Sequence, residues 1–194
     1  MTKIAYTNKV SIETNPNPIH NQATADDFNE IKTSVNALYD VTGHIIYADS
    51  VNDVNNKQVL TASASNIITI VDTTPDKTQS PLALGNGDLW VGNKITPIAS
   101  GDGYVLRLDF VASISNTDGH FDLRIDIDGL IGVILSNSIA FPKGANVAHD
   151  FSHTFFIYTR DTFKLNGGNI IIVPSHTMNI WNKEFVINRV HAAR

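Results

Sequence analysis

Cysteine is absent from the 194 residues. Disulfides, thiolate metal sites and cysteine nucleophiles are excluded together, and the chain fits synthesis in a reducing cytoplasm. Basic clusters are also missing: 14 Lys and Arg stand against 19 Asp and Glu, for a net charge of −5. Neutralising phosphates needs clustered cations, so no nucleic-acid partner is expected. The longest apolar stretches, such as residues 170–173, fall far short of the ~20 residues of a spanning helix. Membrane insertion is therefore not expected, and Met1-Thr2-Lys3-Ile4 lacks the apolar core of a signal peptide. None of the 20 Asn residues stands in an Asn-x-Ser/Thr sequon, which leans away from a secreted glycoprotein. With only 17% charged residues, Asn supplies much of the polar surface.

What is present falls into three zones. Residues 1–23 hold Asn15-Pro16-Asn17-Pro18 and no apolar periodicity. The two prolines fix φ and bias their neighbours toward extended backbone, so this arm is expected to be extended and to order on a partner. A helix is then expected over 24–41. Thr24 is the N-cap, Asp26 and Asp27 suit the first turn, and Gly43 supplies a left-handed stop. Phe28, Ile31, Val35 and Leu38 recur at spacings of 3, 4 and 3, the seam of a coiled coil. Such a short helix is marginal alone. It packs either against its own β domain or against copies of itself, and the second is the expectation adopted.

From residue 44 the period changes to 2. Strands are expected at 45–48 and 67–71, then an irregular stretch over 73–93 with a strand near Leu89. The residues Tyr104, Leu106, Leu108, Phe110, Ala112 and Ile114 share one face. Phe121, Leu123, Ile125 and Ile127 alternate with Asp122, Arg124, Asp126 and Asp128 without an error, a strand half buried and half wet. Asp128-Gly129 marks a hairpin into 130–135. Further strands at 147–159, 170–173 and 184–190, with a tight turn at Asn166-Gly167, make eight to ten in all. That number and spacing fit a sandwich or jelly roll.

Chemistry is sparse. His149-Asp150-Phe151-Ser152-His153 has the spacing of the zincin motif, but that motif needs a helix, and this segment alternates as a strand. Four residues along a strand span roughly 13 Å, too far for one zinc held at about 2 Å by each nitrogen. Asp122, Asp126 and Asp128 approach a calcium loop, yet the first ligand position falls on Arg124. No phosphate loop, dinucleotide fingerprint or nucleophile elbow occurs. No catalytic residue, metal site or cofactor is expected. For binding, Trp90, Tyr158 and Trp181, set among Asn and Asp, are candidates to stack on sugar rings. The competing reading places Trp181 and Tyr104 in the core or at a subunit contact.

The run from Asn15-Pro16-Asn17-Pro18 through Ala23-Thr24-Ala25-Asp26-Asp27-Phe28-Asn29-Glu30-Ile31-Lys32 to Val35-Asn36 resembles the start of bacteriophage fibre and virion appendage proteins. Phe155-Phe156-Ile157-Tyr158, Phe163-Lys164-Leu165-Asn166-Gly167-Gly168 and Phe185-Val186-Ile187-Asn188-Arg189 resemble the trimeric, tumour-necrosis-factor-like jelly-roll heads of such fibres. The resemblance implies a non-enzymatic virion structural protein, a head fibre or short tail fibre. It is then a homotrimer on the virion surface, held to capsid or tail proteins by residues 1–23, with Asn15, Pro16, Asn17 and Pro18 anchoring. Residues 24–43 form the trimerising helix and 44–194 the β head, whose partners include host-surface glycans. A stand-alone lectin or adhesin domain is the alternative. The expected fold class is thus mainly β: a jelly-roll or β-sandwich head after an extended arm and one short helix.

Overall fold

Alternating burial along two strands organises the molecule, for which the computed structural model describes residues 25–41, 43–78, 88–127 and 131–192. Strand β6 (Gly103–Ile114) buries Tyr104, Leu106, Leu108, Phe110, Ala112 and Ile114, the face its period specified. Strand β7 (His120–Ile127) buries Phe121, Leu123, Ile125 and Ile127 opposite them, while Asp122 and Arg124 pair at 2.8 Å on the wet side. The two strands belong to different sheets, so their inner faces make one core. Fully burying such a side chain stabilises by about 1.5–3 kcal/mol.

The remaining elements are α1 (Ala25–Val41), β1 (Gly43–Ala48), β2 (Gln58–Leu60), β3 (Asn66–Ile67), β4 (Trp90–Val91), β5 (Lys94–Ile95), β8 (Gly132–Ala140), β9 (His149–Tyr158), α2 (Asp161–Asn166), β10 (Gly168–Pro174) and β11 (Met178–His191). One sheet runs β1-β11-β6-β9, with β2 also on β11. The other runs β4-β5-β10-β7-β8, with β3 also on β10. Every strand pairing among the described residues is antiparallel. The chain is a mainly β, two-sheet jelly-roll sandwich with one N-terminal helix.

Several expectations need correction. Gly43 has φ 155°, far from the left-handed helical value near +57°, and is the first residue of β1. The strand expected over 67–71 shortens to Asn66–Ile67, and the Ile68 N–H still donates to the Ile170 carbonyl of β10 at 2.9 Å. Beyond that point side chains take its amides: the Thr69 N–H donates to Gln58 Oε1, that of Ile70 to Asn93 Oδ1 and that of Val71 to Asp49 Oδ1. At the end of the stretch expected to be irregular, a small hairpin of β4 and β5 (90–95) turns on Gly92 (φ 59°) and Asn93 (φ 62°), the pair of positive φ values of a type I′ turn. Helix α2 was not foreseen. Asp128-Gly129 and Thr24 lie outside the described residues.

Strand β11 carries a bulge between Trp181 and Glu184, where Asn182 has φ 48°. One extra residue flips the phase of burial, so Met178 and Ile180 point inward before it and Lys183, Phe185, Ile187 and Arg189 after it.

Candidate interaction site

On α1, Ile31 is 57% exposed, Val35 44% and Phe28 45%. The helix meets the sandwich at β11, and among the described residues Phe28, Ile31 and Val35 remain about half exposed. The Leu38 side chain, like Asn15, Pro16, Asn17 and Pro18, lies outside the described residues. Asp26 and Asp27 occupy the first turn as expected.

The three aromatic candidates separate. Trp90 is buried, its indole N–H donating to the Ile70 carbonyl at 3.0 Å and its ring edge-on to Phe185. Trp181 is also buried, with the Lys57 ammonium 4.3 Å from its ring centre. Neither ring offers an open face for a sugar in this chain, which corrects the expectation for both. Tyr158 is 56% exposed at the end of β9. Tyr104 is fully buried, as its place in the β6 alternation requires.

A cleft of about 420 Å³ opens beside the buried Trp90 edge, lined by Tyr47, Asp72, Lys77, Asp88 and Asn93 among others. Its polar groups are largely engaged. Lys77 pairs with Asp88, Asp72 accepts the amides of Ala48 and Thr74, and the Tyr47 hydroxyl accepts those of Leu89 and Trp90. Burial pushes the Tyr47 hydroxyl up to about 12.

His149, Phe151 and His153 share the inner face of β9 at strand spacing. Phe151 stacks on Phe110 with ring centres 5.4 Å apart and sits edge-on to Phe121 at 5.2 Å. Nε2 of both histidines is shielded from water and has no hydrogen-bond partner among the described residues. Desolvation holds the His153 imidazole below its usual pKa. This pair is part of an aromatic cluster, and no group of three His, Asp or Glu side chains gathers for a metal among the described residues.

Two buried ionic networks escaped sequence reasoning. The Lys183 ammonium, fully enclosed, contacts Asp49 Oδ2 at 2.8 Å, Asn52 Oδ1 at 2.7 Å and Gln58 Oε1 at 2.9 Å. Burial lowers its pKa, and Asp49 pulls it part of the way back. Near the other end of β11, Arg189 donates to Asp102 Oδ1 at 2.8 Å, while the Tyr104 hydroxyl and the Ala99 amide donate to Oδ2. Burial raises the Tyr104 pKa. Their partners stand far apart in sequence, and only the β11 bulge turns Lys183 inward.

No family model matches the chain, and no curated protein matches it. Among solved structures it is similar to the Eiger TNF of S. frugiperda, at 9% identity and TM-score 0.46 over 79% of this chain and 94% of that one. It is similar to the PRD1 vertex protein P5 at 12% identity and TM-score 0.41, over 77% and 96%. A third is a carbohydrate-binding module of the Cellvibrio mixtus lichenase 5A, at 16% identity and TM-score 0.32, over 75% and 97%.

Proposed function

We propose that this chain is a non-enzymatic structural protein of a virus particle, a homotrimeric fibre or decoration protein joined to capsid or tail proteins by residues 1–23. The exposed stripe Ile31 and Val35, on a helix that leads straight into a β sandwich, carries the reading. Burying each side chain against a neighbour contributes up to about 1.5–3 kcal/mol, and the sum over three chains turns a marginal helix into a stalk. The resemblance of residues 15–36 to the start of phage appendage proteins, and of stretches within 155–189 to trimeric heads, supports a trimer on the virion surface. Light scattering tests it: the full chain is expected at three protomers, and Ile31→Asp with Val35→Asp at one. A wild-type chain that stays single at tens of micromolar overturns it.

A second reading, a glycan-binding lectin or adhesin, is favoured by the exposed ring of Tyr158. It expects glycan-array signals that Tyr158→Ala abolishes. A blank array removes it and leaves the architectural role.

A further inference from the structure

An amine, a carboxylate and a carboxamide, three groups that react with one another when water is kept out, meet at the β11 bulge. The Lys183 ammonium and the Asp49 carboxylate are fully enclosed and 2.8 Å apart. Lys183 Nζ also donates to Asn52 Oδ1 at 2.7 Å. With a C=O bond of about 1.23 Å, that contact puts Nζ roughly 3.5 Å from the Asn52 carbonyl carbon, the separation of a near-attack pair. The backbone holds the arrangement from both sides. The Asp49 N–H donates to the Lys183 carbonyl at 2.8 Å, and the Asn182 N–H to the Asn52 carbonyl at 3.0 Å. Asn52 Nδ2 donates to the Asn56 carbonyl at 3.2 Å, on the exposed side, which leaves Oδ1 facing the lysine. Gln58 Oε1 is the other amide oxygen on Nζ, at 2.9 Å, but it also accepts from the Thr69 N–H and hydroxyl, and Gln58 Nε2 donates to the Ile67 carbonyl. That amide is tied down, so Asn52 is the one that can turn its carbonyl face to the amine. Burial lowers the Lys183 pKa against the weaker pull of Asp49, which favours the neutral, nucleophilic amine.

We propose that Lys183 and Asn52 join in an intramolecular isopeptide bond, formed once per chain with Asp49 as the acid and base. The ammonium passes a proton to the Asp49 carboxylate across their contact. The freed Nζ lone pair attacks the Asn52 carbonyl carbon and makes the new C–N bond. Asp49 returns its proton to Oδ1 as charge develops there, then takes a second proton from Nζ. The hydroxyl proton moves to Nδ2 through water at the open side of the amide, and the Cγ–Nδ2 bond breaks as the carbonyl re-forms. Ammonia leaves and carries off the remaining Asp49 proton as ammonium, so no oxidant, reductant or other reagent is consumed. The product ties the loop after β1 to β11 across 131 positions, the constraint a disulfide supplies in other chains. The ionic contact is the reactant state, and its own contribution to stability is read on chains that still have the full sequence mass. The inference does not depend on how many chains assemble.

The test is intact-mass spectrometry of the purified full chain, followed by digestion with trypsin. Linked wild type is expected to be lighter than its sequence by one ammonia, about 17 Da. Its digest should hold a branched peptide of residues 33–57 joined to 165–189, because trypsin does not cut at an acylated Lys183. Asn52→Ala should keep its full mass, and Asp49→Asn should link more slowly by on the order of a hundredfold. A wild type at full sequence mass, both fresh and after days at neutral pH, overturns the inference. So does a loss of ammonia without the branch, the mark of a cyclic imide at an asparagine, or a branch onto 58–77, the peptide of Gln58. Linking at the wild-type rate in Asp49→Asn overturns the role given to Asp49. Should a variant misfold, the wild-type digest decides, since the branch is read there directly.

Discussion

Replacing Lys183 by methionine keeps the volume of the side chain and removes its charge. In the native fold the ammonium and the Asp49 carboxylate are both closed off from water, 2.8 Å apart. A buried pair and a well-packed apolar substitute are often similar in stability, but removing one partner strands the other charge, at a cost of about 3–5 kcal/mol. Asp49 would keep the amides of Val51 and Val71, both 3.2 Å from Oδ1, and Gln58 would keep its bonds from Thr69. These residual partners place Lys183→Met at the lower end, about 3 kcal/mol. With an m-value of about 2 kcal/mol/M for a small domain in urea, the midpoint falls by roughly 1.5 M. Urea melts at one fixed protein concentration measure it, since assembly itself makes stability concentration-dependent. Adding Asp49→Asn to Lys183→Met removes the stranded charge and should restore at least half the loss. A single variant within about 0.5 kcal/mol of wild type, the scatter of neutral surface changes, would refute the network's role.

Two further outcomes follow from packing and protonation. A Cβ on Gly168 would lie 2.5 Å from Phe163 Cε2, so Gly168→Ala should cost about 1–3 kcal/mol as overpacking. In a Phe163→Ala background, itself about 3–5 kcal/mol less stable, the same change should be nearly neutral in thermal melts. For His153, burial depresses the folded pKa below the usual 6.5, so the unfolded chain takes up the proton first. Its contribution to stability is complete above about 6.5 and is lost as pH falls from there through the depressed folded value. His153→Leu should flatten the melting temperature between pH 8 and 5, and identical slopes for both proteins would disprove that role.

The parts of the fold legible in sequence were those where burial is decided within one strand. The alternation of β6 and β7 and the existence of α1 needed no knowledge of partners, because period alone fixes which side chains share a face. The failures sit where another segment decides. The residues 69–71 read as strand until side chains of Gln58, Asn93 and Asp49 claim their amides. The fates of Trp90 and Trp181 depend on contacts with Ile70, Phe185 and Lys57, which no local pattern encodes. Lys183 was invisible for a like reason: a one-residue bulge reverses the strand's phase, and its acceptors lie more than 120 positions away.

The proposed assembly has three copies meeting along α1. In a chain without cysteine, Val35→Cys introduces the sole thiol, and a short three-armed maleimide reagent reads which thiols are neighbours. Rapid conversion to a covalent species of three chains, stopping there and persisting on dilution, is the predicted result. Products that remain single chains, or a ladder that grows with concentration, would contradict it.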